Sequence, residues 1–371
     1  MFVDQLKSVS MLLLALLGLI AGCQTAGAPL AQAVSSTQQP LHVRIPSPDV
    51  WGGEVRCSAM GCKMVVVEHE NNAVVVHSFS GRQAKEEARV SVAYHPDSAR
   101  WIGDGLIVAA VEASYGIVIF RLEDNKLIQE QIISVGFAPR DVVLVSQSDD
   151  QIRLVATPYS GSEVKWIDLP KDRTKPAKVT AQTWCASPWH PRLVPVGGGD
   201  APGPGLIVGC LDARKVVYVP LQGGAVTEVA RFNDVPRMVM PSPSGRWWYV
   251  ALELGGKNAR IDSHTGDIQW LPAPSWGAVS IAPVADDLVV WGDDRRVFFQ
   301  RYAPNGEVIE TRELPATGFP TELQLLDDDM DGHLDLNIYN SAGTHVDVQF
   351  GPLWERAIPT GTDSSNQQKL K

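Results

Sequence analysis

The feature that most constrains this chain is a period. Two stretches, GFAPRDVVLVSQSDDQIRLVATPYSGSEVKWIDL from Gly136 and GFPTELQLLDDDMDGHLDLNIYNSAGTHVDVQF from Gly318, follow one plan: an aromatic, a short alternating strand, a polar turn, a second apolar strand, then further hairpins. Their starting points lie four steps of about 45 residues apart. Apolar anchors recur at this step at Trp51, Val92, Phe137, Trp184, Phe232, Trp276 and Phe319. One further step ends at WERAIP, just ahead of the polar tail GTDSSNQQKLK, so seven units fill the chain.

Within the units the apolar runs KMVVVEH, GLIVAAV, GIVIF, LIVGC, KVVYVPL and RRVFFQRY are short, rich in β-branched or aromatic residues, and flanked by Gly, Pro, Asn and Asp. Such runs read as strands. Helical periodicity is nearly absent after the first residues, which excludes an α/β fold. Units of about 45 residues with four strands each are propeller blades, and four to eight blades close a ring. The expectation is an all-β fold, a β-propeller of seven four-stranded blades over residues 45–357, with eight and six as the neighbouring counts. With 371 residues, 44% of them hydrophobic, the chain is long enough to bury such a core.

Net charge is −10, from 32 basic and 42 acidic side chains, and no cluster of Lys and Arg interleaves with aromatics. Nucleic acid is therefore not an expected partner. The apolar run Met11 to Ile20 is too short to span a bilayer, which takes about 20 residues, and reads as a signal-peptide core over residues 1–22. It ends in Ile20-Ala21-Gly22-Cys23, which resembles the lipobox of bacterial lipoproteins. The resemblance implies diacylglycerol on the Cys23 sulfur, a chain that starts at Cys23, and stable membrane attachment through several acyl chains. Gln24 stands where an Asp would signal inner-membrane retention, so the expected address is the outer membrane of a Gram-negative cell, on the periplasmic face. Residues 23–44 read as the lipidated cysteine and a flexible tether, and 358–371 as a polar disordered tail.

Four cysteines remain: Cys57, Cys62, Cys185 and Cys210. An even remainder in an exported protein suggests disulfides. Of three connectivities, Cys57 with Cys62 and Cys185 with Cys210 keeps each pair inside one repeat. The second pair brackets the insertion PVGGGDAPGPG, Pro195 to Gly205, and is expected to pin that hairpin.

In LLDDDMDGHLDLNIYN, Asp327, Asp329, Asp331 and Asp335 occupy positions 1, 3, 5 and 9 of a loop with Gly332 at position 6. Hard oxygen donors at alternate positions around a glycine turn suit Ca²⁺. The expected ligands are Asp327, Asp329, Asp331, the backbone carbonyl of His333, and Asp335, holding one structural ion that braces the last blade against the first. DDDMDGHLDL also resembles the DxDxDGxxDL loop of FG-GAP or VCBS repeats of integrin-type propellers. IDSHTGDIQW, Ile261 to Trp270, resembles the hairpin of quinoprotein-type repeats, which also occur in the lipoprotein propeller of the outer-membrane barrel assembly machinery. That resemblance implies a non-catalytic scaffold in which Asp and Thr order the turn, Gly takes a positive φ and the Trp packs between blades.

No GxSxG, HExxH, Walker loop or adjacent cysteine pair is present, and the eight histidines show no metal-binding spacing; His69 and His77 read as facing solvent. The expected function is a non-catalytic interaction scaffold with a protein partner in an envelope complex. A reader of glycans or other extracellular ligands is the alternative, and a propeller enzyme the less favoured one. Trp189, Trp247 and Trp248, next to turn residues, are the candidate partner-binding side chains.

Overall fold

A computed structural model describes residues 42–58, 61–194, 203–356 and 358–359. Cys23, the signal-peptide segment and the insertion 195–202 lie outside the described residues. Among those described, seven antiparallel sheets succeed one another along the chain, six of four strands and one of five, with almost no helix. Each sheet is a blade whose strands run A to D from the centre outwards. The A strands are Val50–Ser58, Pro96–Gly103, Pro139–Gln147, Pro188–Val194, Val235–Pro241, Ser280–Pro283 and Phe319–Leu326. The sequence anchors fall at or a few residues ahead of these strands. No described helix is long and apolar enough to cross a membrane.

Seven apolar clusters fill the seven spaces between blades. Each sheet is therefore covered on both faces, which explains why the B strands read as continuous apolar runs instead of alternating ones. In Gly61–Glu68, Met64, Val65, Val66 and Val67 are all enclosed, Met64 and Val66 facing blade 7 while Val65 and Val67 face blade 2.

The ring closes with strands from both ends of the chain. His42–Pro46 is the D strand of blade 7, pairing with His345–Gln349 from His42 opposite Gln349 to Pro46 opposite His345. The stretch expected to be tether thus overlaps the sheet by three residues, because Ile45, 2% exposed, and its neighbours have an apolar layer to complete. At the other terminus Ile358–Pro359, expected to begin the tail, pairs with Val308–Pro315 as a fifth strand on blade 6.

Both expected disulfides form. Cys57–Cys62 is a cross-strand pair within blade 1. Cys185–Cys210 joins the stretch leading into blade 4 to the end of its B strand, with Cα atoms 5.9 Å apart. It does not pin the tip of the insertion hairpin: the bracketing cysteines meet at the opposite end of the blade, because strands A and B run back from the tip before the cysteines are reached.

Candidate functional site

The two ends of the propeller differ. The D-to-A and B-to-C connections form an upper end, and the A-to-B and C-to-D turns a lower end. Between them the A strands converge on a hub of buried charge. Arg100 of blade 2 donates through Nη2 to both carboxylate oxygens of Glu322 of blade 7, at 3.0 and 3.1 Å, and through Nη1 to Gly53 O of blade 1. It also approaches Asp141 of blade 3 at 3.4 Å. From blade 4, Arg192 donates to Glu322 at 2.7 Å, and His190 Nδ1 meets Asp141 Oδ2 at 3.0 Å. Burial alone would push the Asp141 carboxyl up, but Arg100, the bond from His190 and the charge of Arg192 together hold it well below the ordinary carboxylate range. Burial lowers His190, so it is neutral and donates its Nδ1–H. Charges enclosed and paired in this way bind five blades together, and removal of one partner strands the others.

Above the hub the upper mouth carries a second set of polar groups. His69 Nδ1 lies 3.1 Å from Asp97 Oδ1, and this bond outweighs burial to raise the imidazole above its usual value. Glu112 is pushed up to about 7 by burial, by the charge of Asp97 and by a hydrogen bond to it. The rings of His69 and His95 stack at 4.1 Å, with Trp51 beyond one and Tyr94 beyond the other. One nitrogen from each of these histidines and a Glu70 oxygen lie within 4.8 Å of one another. The near-parallel rings face each other, whereas ligands of one ion converge on it, so the group reads as an aromatic stack. Beside it Trp189 is held between two guanidinium groups, Arg140 at 3.4 Å and Arg237 at 3.9 Å from its ring centre. Arg237 is paired with Glu253 at 2.9 Å.

Around this mouth the upper loops expose large apolar side chains: Tyr94, Tyr115, Tyr159, Leu254 (78% exposed) and Trp276 (69%). Tyr115 and Leu254 hold left-handed backbone, φ 48° and 61°. Non-glycine residues in this region are uncommon and cost of order 1 kcal/mol each. Sequence reading missed all of these as contact residues and used Trp276 as an anchor only. Their signal was faint, single apolar residues set in turn sequence.

The expected tryptophans are not exposed. Trp189 (5%) and Trp248 (2%) are buried and Trp247 is half-buried. Neighbours on a strand face opposite sides, and in a propeller both sides are covered: Trp248 joins the layer between blades 4 and 5, Trp247 that between blades 5 and 6. Likewise His69 and His77, expected at the surface, are buried. The turn of IDSHTGDIQW matches its expected bonding: Asp262 accepts from the backbone N–H of His264 and Thr265, Thr265 bonds Asp267, and Gly266 has φ 76°. Trp270 departs from it; it is 44% exposed on an outer strand, with its edge against Phe232 and Lys257 over its face.

The aspartate loop joins strands A and B of blade 7 at the lower end. Oxygens of Asp327, Asp329 and Asp335 lie within 4.8 Å of one another. Gly332, φ 89°, donates its N–H to Asp327 Oδ2 at 3.0 Å. Asp331 is turned to the side, where Arg82 from the C-to-D turn of blade 1 bonds both Asp329 (2.6 Å) and Asp331 (3.0 Å). The Cys57–Cys62 disulfide rests against the Asp327 carbonyl oxygen at 3.6 and 3.9 Å. Blade 1 therefore supplies a cation that sequence reading did not foresee. Even so, burial, the largest influence, and neighbouring carboxylates push Asp328 up to about 7, and burial pushes Asp335 up to about 6.

No protein-family model and no curated protein matches this sequence. In structure the chain is similar to virginiamycin B lyase from Staphylococcus aureus (13% identity, 83% of this chain and 97% of that one, TM-score 0.61). It is similar too to hydrazine synthase of Kuenenia stuttgartiensis (14%, 88% and 99%, TM-score 0.62) and to the WD40 propeller domain of Doa1 (13%, 83% and 96%, TM-score 0.58). At these identities the likeness is one of fold, and the same fold carries unrelated activities.

Proposed function

We propose that this chain is a non-catalytic scaffold, a propeller anchored through Cys23 in the outer membrane and facing the periplasm, that docks a partner protein of an envelope complex on its upper end. The observation that carries this reading is the placement of the exposed apolar side chains. Five gather on the upper loops, while the chain enters blade 7 at the lower end, beside Gln349. The described chain thus begins at the end opposite the upper loops. Large aromatic and aliphatic groups on rigid loops give contact energy at little entropic cost. The acids and bases of the hub bond one another, an arrangement suited to joining blades. Calcium at Asp327, Asp329 and Asp335 fits the reading as a brace on the lower end, since their oxygens converge around the Gly332 turn.

Affinity capture from envelope fractions tests the proposal. Wild type is expected to retain a defined partner, and the double variant Leu254→Ser, Trp276→Ser to lose it while melting as wild type. Cys23→Ala should release the chain from the membrane fraction. Unchanged capture by the double variant would refute the docking face. The glycan alternative draws on Tyr94, whose ring is backed by His95 at 3.5 Å and so offers a flat platform for a sugar; binding of glycans in place of a protein would favour it.

A further inference from the structure

Arg140 differs from the other arginines of the hub and the upper mouth. Arg100, Arg192 and Arg237 each reach a carboxylate, at 3.0, 2.7 and 2.9 Å. Arg140 has no hydrogen bond and no ion pair among the described residues; its contacts are aromatic, with Trp189 at 3.4 Å and Tyr159 at 4.5 Å from the ring centres. Burial lowers its guanidinium below the usual value, opposed only at longer range by Asp97, Tyr159, Glu112 and Glu253. Two acids near it face other groups: Asp97 Oδ1 lies 3.1 Å from His69 Nδ1, and Glu253 holds Arg237. Arg140 is half-buried and its guanidinium has no acceptor among the described residues, so an acceptor from outside the chain can reach it.

With aromatic groups against its flat faces, a guanidinium keeps its edge free, and that edge is a planar fork that matches a carboxylate in two parallel hydrogen bonds. We propose that Arg140, set on Trp189, receives a carboxylate from an acidic segment of the partner protein. This rests on the docking-face reading and names the partner's chemistry. Shape and surroundings decide between anions: a planar carboxylate fills the fork in two parallel bonds, and the groups around Arg140 are aromatic. The exposed rings of Tyr94, Tyr115 and Tyr159 suit the apolar parts of a peptide better than a free ion.

The test uses the full chain in detergent and fluorescence anisotropy with three probes: a labelled octapeptide of glutamate, serine and tyrosine, its glutamine counterpart, and inorganic phosphate as competitor. The glutamate peptide is expected to bind at least tenfold more tightly than the glutamine one. Arg140→Met, which keeps a stem over Trp189, should weaken binding at least tenfold with an equal or higher melting temperature, and Arg140→Lys should fall between. A lowered melting temperature in Arg140→Met would make the cation structural and overturn the proposal. So would equal binding of the two peptides, wild-type affinity in Arg140→Met, or displacement by phosphate at the peptide's own concentration. Unchanged capture by the Leu254 and Trp276 variants would instead sink the docking face, whatever the peptide does.

Discussion

At the scale of single residues, the molecule depends on side chains that the sequence keeps far apart. Arg100 and Glu322 are separated by 222 positions, yet their contact joins blades 2 and 7 across the centre. Asp141→Asn is expected to cost about 3 kcal/mol, because it removes the negative charge that faces Arg100 and Arg192 and replaces one of the two oxygens that Arg100 and His190 use with a donor. The pH dependence has a definite sign. Since the folded carboxyl lies below its unfolded value, its contribution is fully present above about pH 4 and is lost as pH falls through the folded value. Urea midpoints of wild type and variant should therefore differ by a constant amount from pH 8 to 5 and converge in more acidic buffer. A difference that stays constant into strong acid would contradict the assignment. No local pattern marks Asp141 or Glu322 in the sequence, since each sits alone in an ordinary strand and acquires its role only when the ring closes. The tryptophans misled for a related reason: RWWY looks like an exposed cluster until a blade is covered on both faces.

At the scale of elements, strands and turns were largely legible. Both disulfides could be paired because each lies within one repeat, and the Asp262 to Gly266 turn carries its bonding in its residue types. The aspartate loop was legible as an acidic turn around Gly332; the role of Arg82 was not, because it comes from the first blade, far away in sequence. Thermal unfolding with millimolar calcium and with chelator separates the two cations. Calcium at about a hundred times its dissociation constant should add about 2.7 kcal/mol and raise the melting temperature by several degrees. Asp327→Asn should abolish that increment, and Arg82→Ala should lower stability more in chelator than in calcium. An identical melting temperature in both buffers would remove the metal from the account.

At the scale of the whole molecule, the period alone gave the number of blades, because one repeat length had to account for the entire apolar content of the chain. It could not give the closure, since His42–Pro46 belongs in space to the last repeat and in sequence to none. Chains beginning at residue 42 and at residue 47 test this. The first should melt as wild type, whereas the second loses Ile45 from the layer between blades 7 and 1 and both His42 and Arg44 from Asp347, and should be destabilised by several kcal/mol. Equal melting of the two would mean that the ring closes without this strand.

The direction of that strand sets how the protein bears a load. His42, the N-terminal residue of the strand, lies at the lower end, and the hydrogen bonds to His345–Gln349 run across the strand axis. A pull from below along that axis strains the five backbone pairs at once, as in a lap joint, instead of opening them one after another as a zip. If Cys23 anchors the chain and a partner is held above, as proposed, tension meets the seam of the ring in shear, the geometry in which a short ladder resists most.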